Sequence, residues 1–124
     1  MNRWWTHALE NWANQISARF GHPVFLVGSA IEKGVNARDV DVVCIVPDEE
    51  FIKCYGPLKG SYALTSEWGA KTKTLWAEVG KLSAVGRRLT GLPIDFKVQS
   101  MAEVYELFRD RPAVRLDTLP YETD

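Results

Sequence analysis

The sequence has little that would tie it to an oxidising, membrane or metal-clip setting. It holds two cysteines, Cys44 and Cys54, in 124 residues. Their spacing matches neither a metal site nor a redox motif, so both read as reduced side chains of a cytoplasmic protein. Two histidines, His7 and His22, share no ligand spacing, and structural roles are expected for both. Neither sign of charge dominates: 15 Lys and Arg stand against 16 Asp and Glu. That balance excludes a global attraction to nucleic acid or to an anionic membrane, while a local basic patch remains open. No apolar run approaches the ~18 residues that a membrane span needs. The start, Met1-Asn2-Arg3-Trp4-Trp5, carries no secretory apolar region. Repeats, low-complexity segments and linkers are also missing, so one domain over residues 1–124 is expected, with 46% hydrophobic residues to build its core.

What is present alternates between helical and extended patterns. Trp4, Trp5, Ala8, Leu9, Trp12 and Ile16 recur at three- and four-residue spacing, which predicts a helix over 3–19 stopped by Gly21. Val24-Phe25-Leu26-Val27 reads as a buried strand ended by Gly28, and a short helical turn follows from Ser29 to Lys33. A second strand runs from Asp39 to Val46, where Pro47 stops it; Asp48, Glu49 and Glu50 then favour a short helix through Cys54. Residues 55–70, rich in Gly and hydroxyl side chains, read as a loop. A long helix is predicted over 71–89, with a stripe of Leu75, Val79, Leu82 and Leu89 flanked by Trp76 and Val85. Pro93 to Val98 forms a third strand, and Ser100 with Glu103 makes a capping box for a last helix containing Val104, Leu107 and Phe108. From Arg109 onward the chain reads as a charged tail. The order implies an α+β (α/β layered) fold, a small sheet flanked by helices.

The chemistry concentrates in three places. Asp39-Val40-Asp41-Val42 opens the second strand. Side chains two apart on a strand share a face, so the two carboxylates point the same way, roughly 6.5–7 Å apart along the strand. Hard oxygen ligands on one rigid element suit Mg²⁺, although the same pattern also fits two solvent-facing surface acids. The acids precede the apolar run Val42-Val43-Cys44-Ile45-Val46, whereas Gly28-Ser29 closes the preceding strand. If the two strands are antiparallel neighbours, Ser29 lies near Asp39 and Asp41. Gly28 would let the backbone approach a ligand, and the amides after it, with the Ser29 hydroxyl, could hold phosphate oxygens; for Gly-Ser alone, an ordinary strand-to-helix turn with Ser29 as N-cap is the favoured reading. Asp95 stands between Ile94 and Phe96 in the third strand and is the candidate third carboxylate, with which the site could hold two metals.

Together, Val27-Gly28-Ser29, the gap from Ala30 to Arg38, Asp39-Val40-Asp41-Val42 and Ile94-Asp95-Phe96 resemble the nucleotidyltransferase signature of the DNA polymerase β superfamily. Gly34 falls where many small members carry a glycine, and the resemblance spans roughly residues 20–100. It is nearest to the small single-domain, or minimal, nucleotidyltransferases. The resemblance implies a nucleotidyltransferase-like fold with a mixed sheet, an NTP donor, and Mg²⁺ or Mn²⁺. It implies that Asp39, Asp41 and Asp95 bind metal and form the catalytic set, with Asp95 helping to activate the acceptor hydroxyl. Gly28 and Ser29 would hold the triphosphate, with Lys33 and Arg38 as flanking candidates for phosphate contact.

The expected reaction is transfer of a nucleoside monophosphate from an NTP to a hydroxyl acceptor, with release of pyrophosphate. Larger members carry a helical domain that grips base or acceptor, so here the pocket must come from the 55–70 loop, the terminal helices, a protein partner or a second copy. Two other functions use the same residues: a catalytically weak or inactive nucleotide-binding module, and a metal-dependent phosphohydrolase. Arg87 and Arg88 read as a solvated helix end, Lys97 as a partner for an acid, and the first-helix tryptophans as packing; Trp68 is the aromatic best placed to meet a base.

Overall fold

The computed structural model describes residues 4–56, 66–108 and 111–118, excepting the side chains of 66–70 and 107–108. The elements are α1 (His7–Phe20), β1 (Val24–Val27), α2 (Ala30–Lys33), a 3₁₀ turn (Gly34–Asn36), β2 (Val40–Val46), α3 (Asp48–Tyr55), α4 (Ser66–Thr90), β3 (Ile94–Ser100), α5 (Met101–Phe108) and β4 (Val114–Arg115). The four strands form one mixed sheet in the order β3-β2-β1-β4. β1 pairs antiparallel with β2 and with β4, while β2 and β3 run parallel. The fold is therefore α+β.

Strand parity divides the sheet. Val24 and Leu26 of β1, Val40, Val42, Cys44 and Val46 of β2, and Ile94, Phe96 and Val98 of β3 are all buried and belong to one core. That core also takes Leu9, Trp12 and Ile16 of α1, Phe51 of α3, and Leu75 and Val79 of α4. Trp12 meets Phe96 edge-on at 5.5 Å and donates its indole N–H to the Leu82 carbonyl at 3.1 Å. A Cβ on Gly86 would stand 2.7 Å from the Trp12 ring, so the missing side chain is what lets α1 and α4 approach there. Burial holds the Cys44 thiol protonated, its pKa pushed up to about 12, which suits inert core filler.

Several boundaries differ from the sequence reading. Trp4 and Trp5 precede α1 rather than opening it. Trp5 is buried and donates to Glu10 at 2.9 Å, while Trp4 lies 3.4 Å from where a Gly34 Cβ would be. α4 starts at Ser66, five residues before the expected Lys71, so 66–70 are helical despite Gly69. One glycine costs a long helix only about 1 kcal/mol. Trp68 is thereby placed on a helix, with its side chain outside the described residues, as is the remainder of the expected loop, 57–65. On α4 the buried line is Leu75-Val79-Ser83-Gly86, and the expected Trp76 and Leu89 sit on its flanks, 45% and 50% exposed.

The largest departure is at the C-terminal side. The segment expected to be a charged tail contributes β4, and the Leu116 amide that follows it donates to the Val24 carbonyl at 2.8 Å. Just beyond it, the fully buried Asp117 carboxylate accepts the Val24 amide at 2.9 Å and the Ser17 hydroxyl at 3.3 Å. Arg115 grips the same carboxylate through Nε and Nη2, at 3.1 and 3.0 Å. Ser100 behaves as expected, accepting the Glu103 amide at 3.2 Å at the start of α5. No helix among the described residues is long and apolar enough to cross a membrane.

Candidate active site

The end of β1 and the starts of β2 and β3 lie side by side. Val27 is the register partner of Asp41, and Asp41 is the register partner of Asp95. Residues opposite one another in neighbouring strands point to the same face. Asp41 and Asp95 therefore project together from the face turned away from the α1–α4 core. Asp41 is half-buried and its pKa is raised above the usual carboxylate range. Burial is the largest cause, followed by the negative charges of Asp95 and Asp39, with Lys97 opposing them.

Gly28 makes this arrangement sterically possible. Its φ of 77° lies in the left-handed region, and a Cβ there would stand 2.7 Å from Asp41 Oδ2. Both the turn out of β1 and the close approach of the carboxylate thus demand glycine. Ser29 follows at the N-cap position of α2, but its side chain makes no capping hydrogen bond and is exposed. Its hydroxyl is therefore not spent as the ordinary cap that the sequence left open.

Of the other charged residues predicted for the site, Asp39 is the one whose charge acts on Asp41. It is exposed, one residue before β2. Lys33 and Arg38 are exposed on the α2–β2 connection. Among the described residues no group of three or more His, Cys, Asp or Glu side chains is gathered closely enough to hold a metal ion. The compact unit is the Asp41–Asp95 pair, with Asp39 flanking it. Lys97 shares its face, with Nζ 3.9 Å from Asp95 Oδ2, and both side chains are about half exposed. Two residues further along the same face, Gln99 is buried with its Oε1 lacking a hydrogen-bond partner. Sequence reasoning missed Gln99, and only the alternation Asp95-Lys97-Gln99 on one strand face could have pointed to it.

Residues read as structural behave so. His22 pairs with Glu50 at 2.5 Å, and its backbone carbonyl accepts the Ser17 hydroxyl. Arg87, read as part of a solvated helix end, instead donates to the Ile94 carbonyl at 3.0 Å and ties the end of α4 to β3. A cavity of about 360 Å³ lies between α3 and α4, with Arg19, Tyr55 and Glu78 in its wall, but no predicted site residue lines it.

The pair suits a hard divalent cation on chemical grounds. Two carboxylates stand side by side in register, and ionisation of Asp41 is opposed by burial and by the Asp95 and Asp39 charges. A cation held between them would offset that repulsion. Comparison with family models, with curated proteins and with solved structures returned no match.

Proposed function

We propose that the protein is a metal-dependent nucleotidyltransferase that moves a nucleoside monophosphate from an NTP to a hydroxyl acceptor. One observation carries the reading: Asp41 and Asp95 are paired in register beside Gly28, whose missing Cβ makes room for the Asp41 carboxylate. The order of motifs along the chain supports it, because Gly28-Ser29, Asp39-Val40-Asp41 and Ile94-Asp95-Phe96 are the segments that resemble the polymerase β superfamily.

In this reading Asp41 and Asp95 hold Mg²⁺ or Mn²⁺, and Asp39 stands at the rim as a further ligand. A cation bound there would neutralise triphosphate charge and so favour attack at the α-phosphorus. Gly28 leaves the backbone open to the triphosphate, and the free Ser29 hydroxyl donates to a phosphate oxygen. Lys33 and Arg38, exposed between β1 and β2, are the candidates for contact with the outer phosphates. Asp95 orients the acceptor hydroxyl and takes its proton. The acceptor oxygen bonds to the α-phosphorus as the bond to the bridging oxygen breaks, and pyrophosphate carries away the negative charge.

The test is incubation of the protein with each α-labelled NTP, Mg²⁺ and a cell lysate, with products separated by mass. The reading expects a labelled acceptor and pyrophosphate with the wild-type chain, and neither with Asp41→Asn. Release of inorganic phosphate or free nucleotide without a labelled acceptor would make it a phosphohydrolase. Nucleotide-dependent stabilisation with no product at all would make it a binding module.

A further inference from the structure

The near-neutral total charge conceals a segregated one. At 100° per residue, the side of α4 that faces away from the sheet and from α1 carries Lys73, Lys81 and Arg88, all exposed. The only carboxylate among the described side chains of α4, Glu78, turns to another side, where Arg19 holds it at 2.6 and 2.7 Å. Because the chain has 15 basic against 16 acidic residues, three cations on one helix face leave the rest of the molecule with an excess of acids.

The floor between the cations is unusually low. Ala77, Gly80 and Ala84 line the centre of the stripe, and a Cβ added at Gly80 would meet nothing within 4 Å. A strand lying there can approach the helix backbone closely. Trp76 stands at the edge of the same stripe, 45% exposed. Cations spread over about 22 Å of helix, from Lys73 to Arg88, beside an exposed aromatic, match the combination that binds single-stranded nucleic acid: phosphates against the charges, a base against the ring. A second copy is disfavoured, since two such faces would set like charges against each other.

We propose that the outward face of α4 binds a single-stranded nucleic acid, with phosphates at Lys73, Lys81 and Arg88 and a base stacked on Trp76. The surface lies on the far side of α4 from the Asp41–Asp95 pair, so it stands independently of nucleotidyl transfer.

Binding of labelled mixed-sequence DNA and RNA 12-mers to the full chain tests this, by fluorescence anisotropy without Mg²⁺ or NTP. The expected result is binding whose log K falls with log[salt] at a slope of about −2, from three phosphate contacts. The double change Lys81→Glu and Arg88→Glu should weaken it by at least about tenfold, and Trp76→Ala by about tenfold. Asp41→Asn should bind as wild type, which separates this surface from the proposed active site. All of these side chains but Asp41 are exposed, and thermal melting checks that the variants fold. No binding at low salt, or equal binding by the charge-reversed variant, would overturn the proposal. So would displacement by poly-glutamate at matched charge concentration, which would assign the face to an acidic protein partner. A preference between the DNA and RNA arms would support it and identify the strand.

Discussion

Asp41 and Asp117 both lie in the sheet region beside β1, and their surroundings are opposite. Asp117 is fully buried, and every neighbour favours its negative charge: the Val24 amide, the Ser17 hydroxyl and the bidentate Arg115. Burial pushes its pKa up, but these partners outweigh burial and the net shift is downward. Asp41 is only half-buried, yet burial and two further acids raise its pKa, with Lys97 the one opposing charge. The first carboxylate is completed from within the chain and holds β4 in place. The second is packed against like charge with no internal compensation equal to it, which makes it a candidate functional group.

The contrast can be broken most severely at Asp117. Asp117→Ala strips the Val24 amide, Ser17 and Arg115 of their shared acceptor and should cost about 2–4 kcal/mol in urea unfolding. Because the folded pKa of Asp117 is lowered, its contribution is present above the unfolded value of about 3.9 and is lost as pH falls through the folded value. A stability unchanged by the substitution would mean that β4 does not depend on this network.

Gly28 offers a sharper comparison with Gly21, which has nearly the same positive φ, 76°, but no atom within 4 Å of an added Cβ. Gly21→Ala should cost only the backbone strain, about 1 kcal/mol. Gly28→Ala adds the collision with Asp41 and should cost about 2–3 kcal/mol. It should also displace Asp41 and abolish any stabilisation by Mg²⁺ and NTP, which Gly21→Ala should leave intact. Equal costs in thermal melting would show that the Gly28–Asp41 contact is unimportant.

The smallest effect has the opposite sign. A raised folded pKa means that the folded state loses stability as pH rises through that value. Asp41→Asn removes this loss, so without metal it should stabilise the protein by about 0.5–1 kcal/mol at pH 7 and by nothing well below the ordinary Asp range. A melting series from acid to neutral pH reads the divergence directly.

The two acids were also unequally legible. Around Asp41, local rules suffice: alternation in Asp39-Val40-Asp41-Val42 assigns faces, and Gly28 marks the turn that brings β1 beside β2. The Asp41–Asp95 pairing needs one step more, since the register of parallel strands is set by the core residues Val40, Ile94, Val42 and Phe96 rather than by the acids. Asp117 was illegible because its partners, Val24 and Ser17, lie far back in the chain, and β4 is two residues long beside Pro112. No periodicity exists in so short a strand. Trp76 and Leu89 were misplaced for a different reason. Helical spacing finds a stripe wider than the line of contact, and only the docking of Trp12 onto Gly86 decides which part of it is buried.

The central claim is that the Asp41–Asp95 pair is a cation and nucleotide site. Thermal melting of wild type and Asp41→Asn, each with and without Mg²⁺ and NTP, tests it most directly. The account predicts that wild type is stabilised by Mg²⁺ with NTP, and that Asp41→Asn starts slightly more stable but gains little or nothing from them. Equal ligand-dependent stabilisation of the two proteins would contradict it, because Asp41 would then stand outside the site.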